Sequence, residues 1–468
     1  MFNKIINNPT LMTWASMIGK IGNVLLILPL LLRTFPVEVI NLWFLFQLIF
    51  SFKDILDLGL VNNISRAYSY ALGGSVSLNE FSINQDEPNY QLIFKIEKVS
   101  RKVYLYVTII AFVLLLFLGP ISLFKTINSI DGNYNEYWLS WVILLISIVF
   151  SLFGNSYTSF LIGVNKVAEM RRTDAIINLF SLLLTAIVTL LYPSFILIVT
   201  TFYFMHVALF LKNRFLCKKV KESYPVTNVE FDSKVWDNIQ SRAKRSFAAG
   251  IGGYGVNIIL NVVVSNLIPV NLSAAYLFAN RVIMQINQIS VGAFDPNLPK
   301  MSVLEAQNRK KEQINLVNKS MNLSYLIITL GVFGVYLFSH LLLDIISSKT
   351  EFITFDIWFL LSLAILLERF SIMHRQYYTL MTNTIIAHKI VIVTGIIKII
   401  LFYVLFPFMD IYALPISYIF SLIIFESWFI FKKSYEKSKA TLFNFEKLIF
   451  IPSCILFIIF YFVNMLHV

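Results

Sequence analysis

The residues of this chain that could do chemistry are charged and amide side chains set inside apolar runs. Lys20 sits near the middle of the first run, and Thr13, Ser16, Lys20 and Asn23 recur at helical spacing on one face. Arg281, Gln285, Gln288 and Asp295 form a second such stripe. Tyr254, Asn257, Asn261 and Ser265 form a third, and Lys398 lies mid-run with Thr394 one turn before it. A charge at the centre of a membrane-length apolar helix costs ~2.5–3.5 kcal/mol on insertion scales, so it faces a protein interior or a watery cavity. There, an ammonium or guanidinium group attracts phosphate or carboxylate, with Arg the better bidentate ligand, and amides suit sugar hydroxyls. Lys20, Asn23, Arg281, Gln285, Gln288, Asn257, Asn261 and Lys398 are therefore expected to bind an anionic, hydroxyl-rich substrate. The plainer alternative stands beside it. Lys20 could snorkel to a structural partner, Arg281 could tie helices through Asp295 or a carbonyl, and the asparagines could be polar glue.

A second group is acidic. Asp54 and Asp57 follow Lys53 near the end of an apolar run, with Gln47, Ser51 and Asp54 on one face. Asp295, Glu368, Arg369 and Glu426 lie in or beside other runs, with His374 and Arg375 following Glu368 and Arg369. A buried carboxylate can take a proton, so Asp54, Asp57, Asp295, Glu368, Arg369 and Glu426 are candidates for ion coupling or gating. Lys53 and Asp54 read first as a local pair. Glu368 and Arg369 are neighbours in sequence and point in different directions, so they need separate partners.

The elements that position these groups are helices. The chain has 468 residues, is 57% hydrophobic and only 14% charged, and has a mean hydropathy of +0.74. Soluble proteins carry roughly 25% charged residues. About thirteen apolar spans recur near the ~20-residue length that crosses a bilayer as a helix: 11–32, 37–60, 103–124, 138–163, 174–192, 194–212, 247–268, 272–296, 321–345, 354–378, 386–408, 411–431 and 448–466. The fold class is thus all-α, a polytopic integral membrane protein. The apolar run that starts near residue 11 continues to Leu32, too long for a cleaved signal peptide. Cys217 and Cys454 lie far apart and suggest neither a disulfide framework nor a metal site.

With the N-terminus in the cytoplasm, the loops alternate so that about twenty-eight Lys and Arg fall on one side and only Arg33, Lys125 and Lys349 on the other, a strong positive-inside pattern. The net charge of +12 is then topogenic, its partners are anionic membrane lipids, and no nucleic acid is implied. The loops of the opposite side are as short as Tyr192-Pro193-Ser194 and Pro269-Val270-Asn271. Such turns leave no room for a catalytic lid or an outer domain, so the chain is not expected to be an enzyme.

A shift of about 233 residues aligns Ile18, Gly19 and Gly22 with Ile251, Gly252 and Gly255, Pro36-Val37 with Pro269-Val270, and Gly59 with Gly292, which suggests a parallel repeat of two six-helix bundles. The expected organisation is an N-terminal lobe over 1–212, a basic cytoplasmic linker over 213–246, a C-terminal lobe over 247–433, and a linker with an extra C-terminal transmembrane helix over 434–468. Gly250, Gly252, Gly253 and Gly255 could allow bending during alternating access, but close helix packing is the simpler account.

The stretches PLLLRTFPVEVINLWFLF and DLGLVNNISRAYSYALGG resemble the start of bacterial polysaccharide exporters of the oligosaccharide flippase type, including Wzx-type O-antigen flippases of the MOP superfamily. The cues are Arg33, Trp43, the Asp57–Leu60 ending and Arg66. AAYLFANRVIMQINQISVGAFDPNLPKMSVLEAQ resembles the eighth helix of that family and its exit at Pro296 and Pro299. The resemblance implies a MATE-like pair of lobes that flips an undecaprenyl-pyrophosphate-linked oligosaccharide from the cytoplasmic to the outer leaflet of the bacterial plasma (inner) membrane. It further implies proton or sodium coupling, no cofactor, and polysaccharide polymerase and chain-length regulator proteins as partners. The insert Gly73–Tyr90 and the thirteenth span depart from the family pattern. Two other readings stay open: a polysaccharide polymerase or ligase, and a small-molecule exporter of the same superfamily.

Overall fold

The computed structural model describes residues 26–57, 60–75, 87–130, 134–225, 229–250, 255–298, 309–345, 347–382 and 387–466, with single positions between them. Lys20 and Asn23 lie outside the described residues, as do Thr13, Ser16 and Tyr254. The described chain is helical throughout and divides into two compact units, residues 1–251 and 252–468. The first holds α1 (Leu28–Thr34), α2 (Val37–Asp57), α3 (Leu60–Leu72), α4 (Tyr90–Asn128), α5 (Tyr134–Gly163), α6 (Val167–Leu191), α7 (Phe195–Lys221) and α8 (Ser233–Gly250). The second holds α9 (Val256–Leu267), α10 (Val270–Phe294), α11 (Lys310–Ile345), α12 (Phe355–Thr382), α13 (Ala387–Met409), α14 (Ala413–Ser421), a π-helical stretch Leu422–Ser427, α15 (Trp428–Ser438) and α16 (Phe450–Leu466).

By length and composition, seven helices among the described residues can cross a membrane. Large apolar side chains on these helices stand in the open, Phe117 and Ile121 of α4 at 66% and 71% exposure. So broad an apolar surface is not stable in water, so the chain is built as a multi-pass membrane protein. Hydroxyl groups inside these helices bond their own backbone one turn back, as Ser147 does to the Ile143 carbonyl at 2.9 Å and Thr185 to that of Ser181 at 2.8 Å. Each such bond keeps that hydroxyl donor paired in its apolar setting.

Each unit opens on the same turn. α1 ends at Phe35, in extended conformation, whose N–H reaches back to the Leu31 carbonyl at 3.0 Å, and Pro36 precedes the first residue of α2. α9 ends at Ile268, also extended, whose N–H reaches the Val264 carbonyl at 3.1 Å, and Pro269 precedes α10. Proline is suited to a helix entry because it fixes φ and lacks only an N–H the first turn cannot use.

Several helices outrun their apolar spans. α4 has 39 residues, so at 1.5 Å per residue it is about 58 Å long, against a hydrocarbon core of ~30 Å. Its polar first turns, expected as loop, stay helical because they are paired. Glu97 bonds Lys221 of α7 at 2.7 Å and Arg101 at 2.6 Å. Lys95 holds Asp232 at 3.0 Å, which keeps the Asp232 carboxyl below the usual carboxylate range, and Lys98 bonds the Val229 carbonyl. Residues 229–239 are therefore strapped to the first unit, with Val235 and Ile239 in its core beside Ile96 and Val99. The insert after α3 is pinned at its ends: Asn89 caps α4 through the Leu92 N–H and donates to the Ser75 carbonyl.

α16, the extra span, docks on α11 and α12 of the second unit. Thr329 donates to Ser453 at 2.8 Å, Phe457 stacks near Phe333 and Phe359, and Phe450 lies near Tyr325 and Phe370.

Candidate functional site

The second unit contains a polar pocket between α9, α10, α12, α13 and α14, about 420 Å³ including its open mouth. It begins with a backbone contact. A Cβ on Gly395 of α13 would lie 2.0 Å from the carbonyl oxygen of Gly252, and a Cβ on Gly252 would lie 2.7 Å from the Ile392 Cα. Only two glycines let the backbones approach this closely. One turn beyond Gly395, Lys398 meets Asn257, one helical turn and a residue beyond Gly252, and donates to its Oδ1. The ammonium also lies 3.8 Å from the centroid of the Tyr418 ring on α14, a cation–π contact.

Lys398 is 5% exposed, and among the described residues no carboxylate oxygen falls within 4 Å of its nitrogen in an ion pair. Glu368 of α12 is its electrostatic neighbour and a hydrogen-bond partner of the Tyr418 hydroxyl. The other carboxylate oxygen of Glu368 is buried without a partner. Asn261, one turn after Asn257, also lines the pocket, and its buried Oδ1 has no donor. α10 contributes Tyr276 and Asn280, while Ile283, Leu361 and Ile365 give apolar wall. The pocket can thus offer a charged donor, an unfilled acceptor and an apolar face to a small polar ligand.

The structure brings Asn257, Asn261 and Lys398 together, with Glu368 behind them. Arg281 and Gln285 are half-buried and Gln288 is exposed; none of the three lines this pocket. The pocket uses Tyr276, Asn280 and Ile283, because one residue along a helix turns the side chain by about 100°. Asn280 and Tyr276 share a face at i, i+4 spacing, a signal present in the sequence beside the more conspicuous Arg281. Tyr418 could be flagged only once α13 and α14 are known to be neighbours.

The remaining candidates have partners of their own. Asp295, in a 3₁₀ turn after α10, pairs with the buried Arg369 at 3.3 Å and accepts from Gln376 at 3.4 Å. Arg369 also donates to Ser324 at 3.0 Å and faces the Phe294 ring. It therefore turns toward α10 and α11 while Glu368 turns toward α13 and α14. Glu426, in the π-helical stretch, binds Arg375 at 2.5 Å. Asp54 is exposed and paired with Lys53 at 2.5 Å, the local pair expected. Asp57, in the first unit, accepts from the Tyr104 hydroxyl at 2.8 Å and from Asn155, and Tyr104 lies 3.5 Å from Ser159.

A buried cluster in the second unit joins His374 to partners that the sequence candidates did not include. His374 bonds Glu446 at 2.8 Å and Ser434 at 3.2 Å, and the Tyr435 hydroxyl donates to the other Glu446 oxygen at 2.6 Å. Glu446 sits between Phe445 and Lys447 in a segment that reads as basic loop. The aromatic pair Phe443 and Phe445 was the available sign that this loop folds back.

No protein-family profile and no curated protein sequence matches the chain. Solved structures do. A MATE transporter in complex with MaL6 is similar with TM-score 0.54 and 11% identity, over 93% of this chain and 96% of that one. An outward-facing multidrug resistance MATE family transporter of the MOP superfamily gives TM-score 0.57 and 11% identity, over 93% and 98%. A MOP superfamily transporter from Pyrococcus furiosus, described by the reverse polarity of its binding pocket, gives 0.57 and 12%, over 94% and 98%. At these identities the likeness speaks to architecture, and the architecture is that of the MATE-type transporters of the MOP superfamily.

Proposed function

We propose that this chain is a transporter, not an enzyme, and that it moves an anionic lipid-linked oligosaccharide from the cytoplasmic to the outer leaflet of a bacterial plasma membrane by alternating access. The observation that carries the reading is Lys398: a buried ammonium, in no ion pair among the described residues, set in a pocket of amides and phenols. A buried cation persists where a compensating ligand or a functional need offsets its desolvation. The lipid tail stays in the bilayer, and the glycan enters a polar path. Lys20, Arg281, Gln285 and Gln288 are further proposed contacts, and Asp57 and Glu368 are the proposed groups for proton or sodium coupling. A polysaccharide polymerase and a chain-length regulator would act downstream.

The multidrug MATE structures among the neighbours support a second reading, export of a small molecule. One assay separates the two. The chain and Lys398→Met are expressed in a bacterium lacking its own O-antigen flippase but supplied with the lipid-linked glycan native to this chain, and in a pump-deleted strain challenged with cationic dyes. Flippase action restores surface glycan, and Lys398→Met at equal membrane level lowers it at least tenfold. Raised dye tolerance without surface glycan would overturn the flippase reading in favour of small-molecule export.

A further inference from the structure

We infer that Lys98 and Lys102 of α4, with the rings of Tyr106, Phe231 and Trp236, form a site for the phosphate of an anionic phospholipid in the leaflet on the side of the basic loops. The inference is independent of what the chain transports.

Depth fixes the place of the site first. No charged residue stands between Lys102 and Lys125. The stretch between them is about 33 Å of helix, close to the ~30 Å hydrocarbon core. Lys102 therefore stands at one boundary of that core and Lys125 at the other. Tyr106 is 47% exposed and Trp236 half-buried, and these are the ring types that collect at headgroup level.

Charge then selects the ligand. The Lys102 ammonium lies 4.6 Å from the centroid of the Phe231 ring and 5.3 Å from that of Trp236, whose indole meets the Tyr106 ring edge to face at 6.0 Å. The rings hold the ammonium but do not neutralise it. Lys98, one turn earlier on the same face, is exposed and donates to the Val229 carbonyl. Among the described residues neither lysine forms an ion pair. Asp232 is taken by Lys95, Glu97 by Lys221 and Arg101, and the exposed Glu230 and Asp237 pair with neither lysine. Like charges one turn apart repel, and a phosphate between them offsets the repulsion with charge-assisted hydrogen bonds to both. A cationic headgroup group such as choline is not suited, because Lys102 already covers the ring faces.

The apolar side of α4 makes the ligand a lipid and not a free phosphate. Leu105, Ile109 and Val113 follow Lys102 on the same face and are 48%, 49% and 45% exposed. From Lys102 to Val113 the helix rises about 16 Å, the hydrocarbon depth of one leaflet. An acyl chain laid on this stripe brings its phosphate to Lys102.

The test uses the purified full-length chain and native mass spectrometry, with bound lipid read as mass added per chain. The probes are phosphatidylglycerol, phosphatidylcholine with the same acyl chains, and glycerol 3-phosphate. Phosphatidylglycerol is expected to bind at least tenfold more tightly than phosphatidylcholine. The double variant Lys98→Gln with Lys102→Gln should lose at least tenfold in phosphatidylglycerol affinity. Lys98→Gln alone, which leaves the ring contacts intact, should lose severalfold, and no loss there would overturn the inference. Lys310→Gln with Lys311→Gln, at exposed lysines of the start of α11, should leave the affinity unchanged. Equal affinity for the two lipids, or equal losses from the two double variants, would overturn the inference in favour of general surface charge. Displacement of phosphatidylglycerol by millimolar glycerol 3-phosphate would overturn the lipid assignment in favour of a soluble phosphate ligand.

Discussion

At the scale of single residues, the second unit depends on two glycines as much as on any charge. Gly252 and Gly395 set the approach of α9 and α13 that delivers Lys398 to Asn257. Gly395→Ala would put a methyl group 2.0 Å from a backbone oxygen, where the neighbour cannot move aside as a flexible side-chain tip could. Overpacking of this kind costs typically 1–3 kcal/mol. The expected outcome is a clear drop in the thermal midpoint of the purified protein. Gly334 of α11 is the control, because a Cβ there meets nothing within 4 Å. Gly334→Ala should be neutral or stabilising by up to ~1 kcal/mol through helix propensity. Equal losses from both substitutions would remove the close-approach account. The same contact gives Gly252 a packing role.

At the scale of elements, α16 is held by three sets of contacts: aromatic rings against α11 and α12, the Thr329–Ser453 hydrogen bond, and the buried Glu446 that anchors the segment before it. Glu446→Ala would strip His374 and Tyr435 of a partner at once, at about 1–3 kcal/mol for each buried group left unsatisfied. Cys454 of α16 is half-buried and reduced, while Cys217 of the first unit is buried. Maleimide labelling of Cys454 is therefore expected to accelerate in Glu446→Ala and less so in Glu446→Gln, with Cys217 still protected. An unchanged Cys454 rate would mean that the rings and the Thr329–Ser453 bond secure the helix without Glu446. The strap on the first unit works similarly. Lys95, Lys98 and Glu97 turn what composition alone marks as loop into anchored chain, with Lys102 over the Phe231 and Trp236 rings.

At the scale of the whole molecule, the distribution of charge makes an orientation prediction. The basic loops should all face the cytoplasm, with the N-terminus on that side. A reporter fused after Tyr224 is expected to fluoresce as a cytoplasmic green fluorescent protein and to be inactive as alkaline phosphatase. Fusions after Pro193 and Ser348 are expected to behave in the opposite way. Reversal of the whole set would invert the direction of transport as well as the topology.

The sequence by itself determined whatever depends on neighbouring residues. Apolar length marked the membrane helices, and Pro36 and Pro269 marked the two helix entries found in the structure. Local pattern also placed Asn257 and Asn261 on one face and gave Glu368 and Arg369 different directions. Lys53 and Asp54 paired as adjacent charges should. What only the tertiary structure decided depends on distant segments. Lys398 and Asn257 are 141 residues apart, and no periodicity says which helix a buried lysine will meet. Asn280 faces the pocket and Arg281 does not, a difference of one residue that hydrophobic pattern cannot resolve where both are half-buried. The polar start of α4 is helix because Lys221 and Asp232 reach it from elsewhere in the chain, and Glu446 is core because His374 and Tyr435 are waiting for it. Local steric and solvation preferences are written residue by residue, whereas the partner that satisfies a buried charge is chosen only when the helices pack.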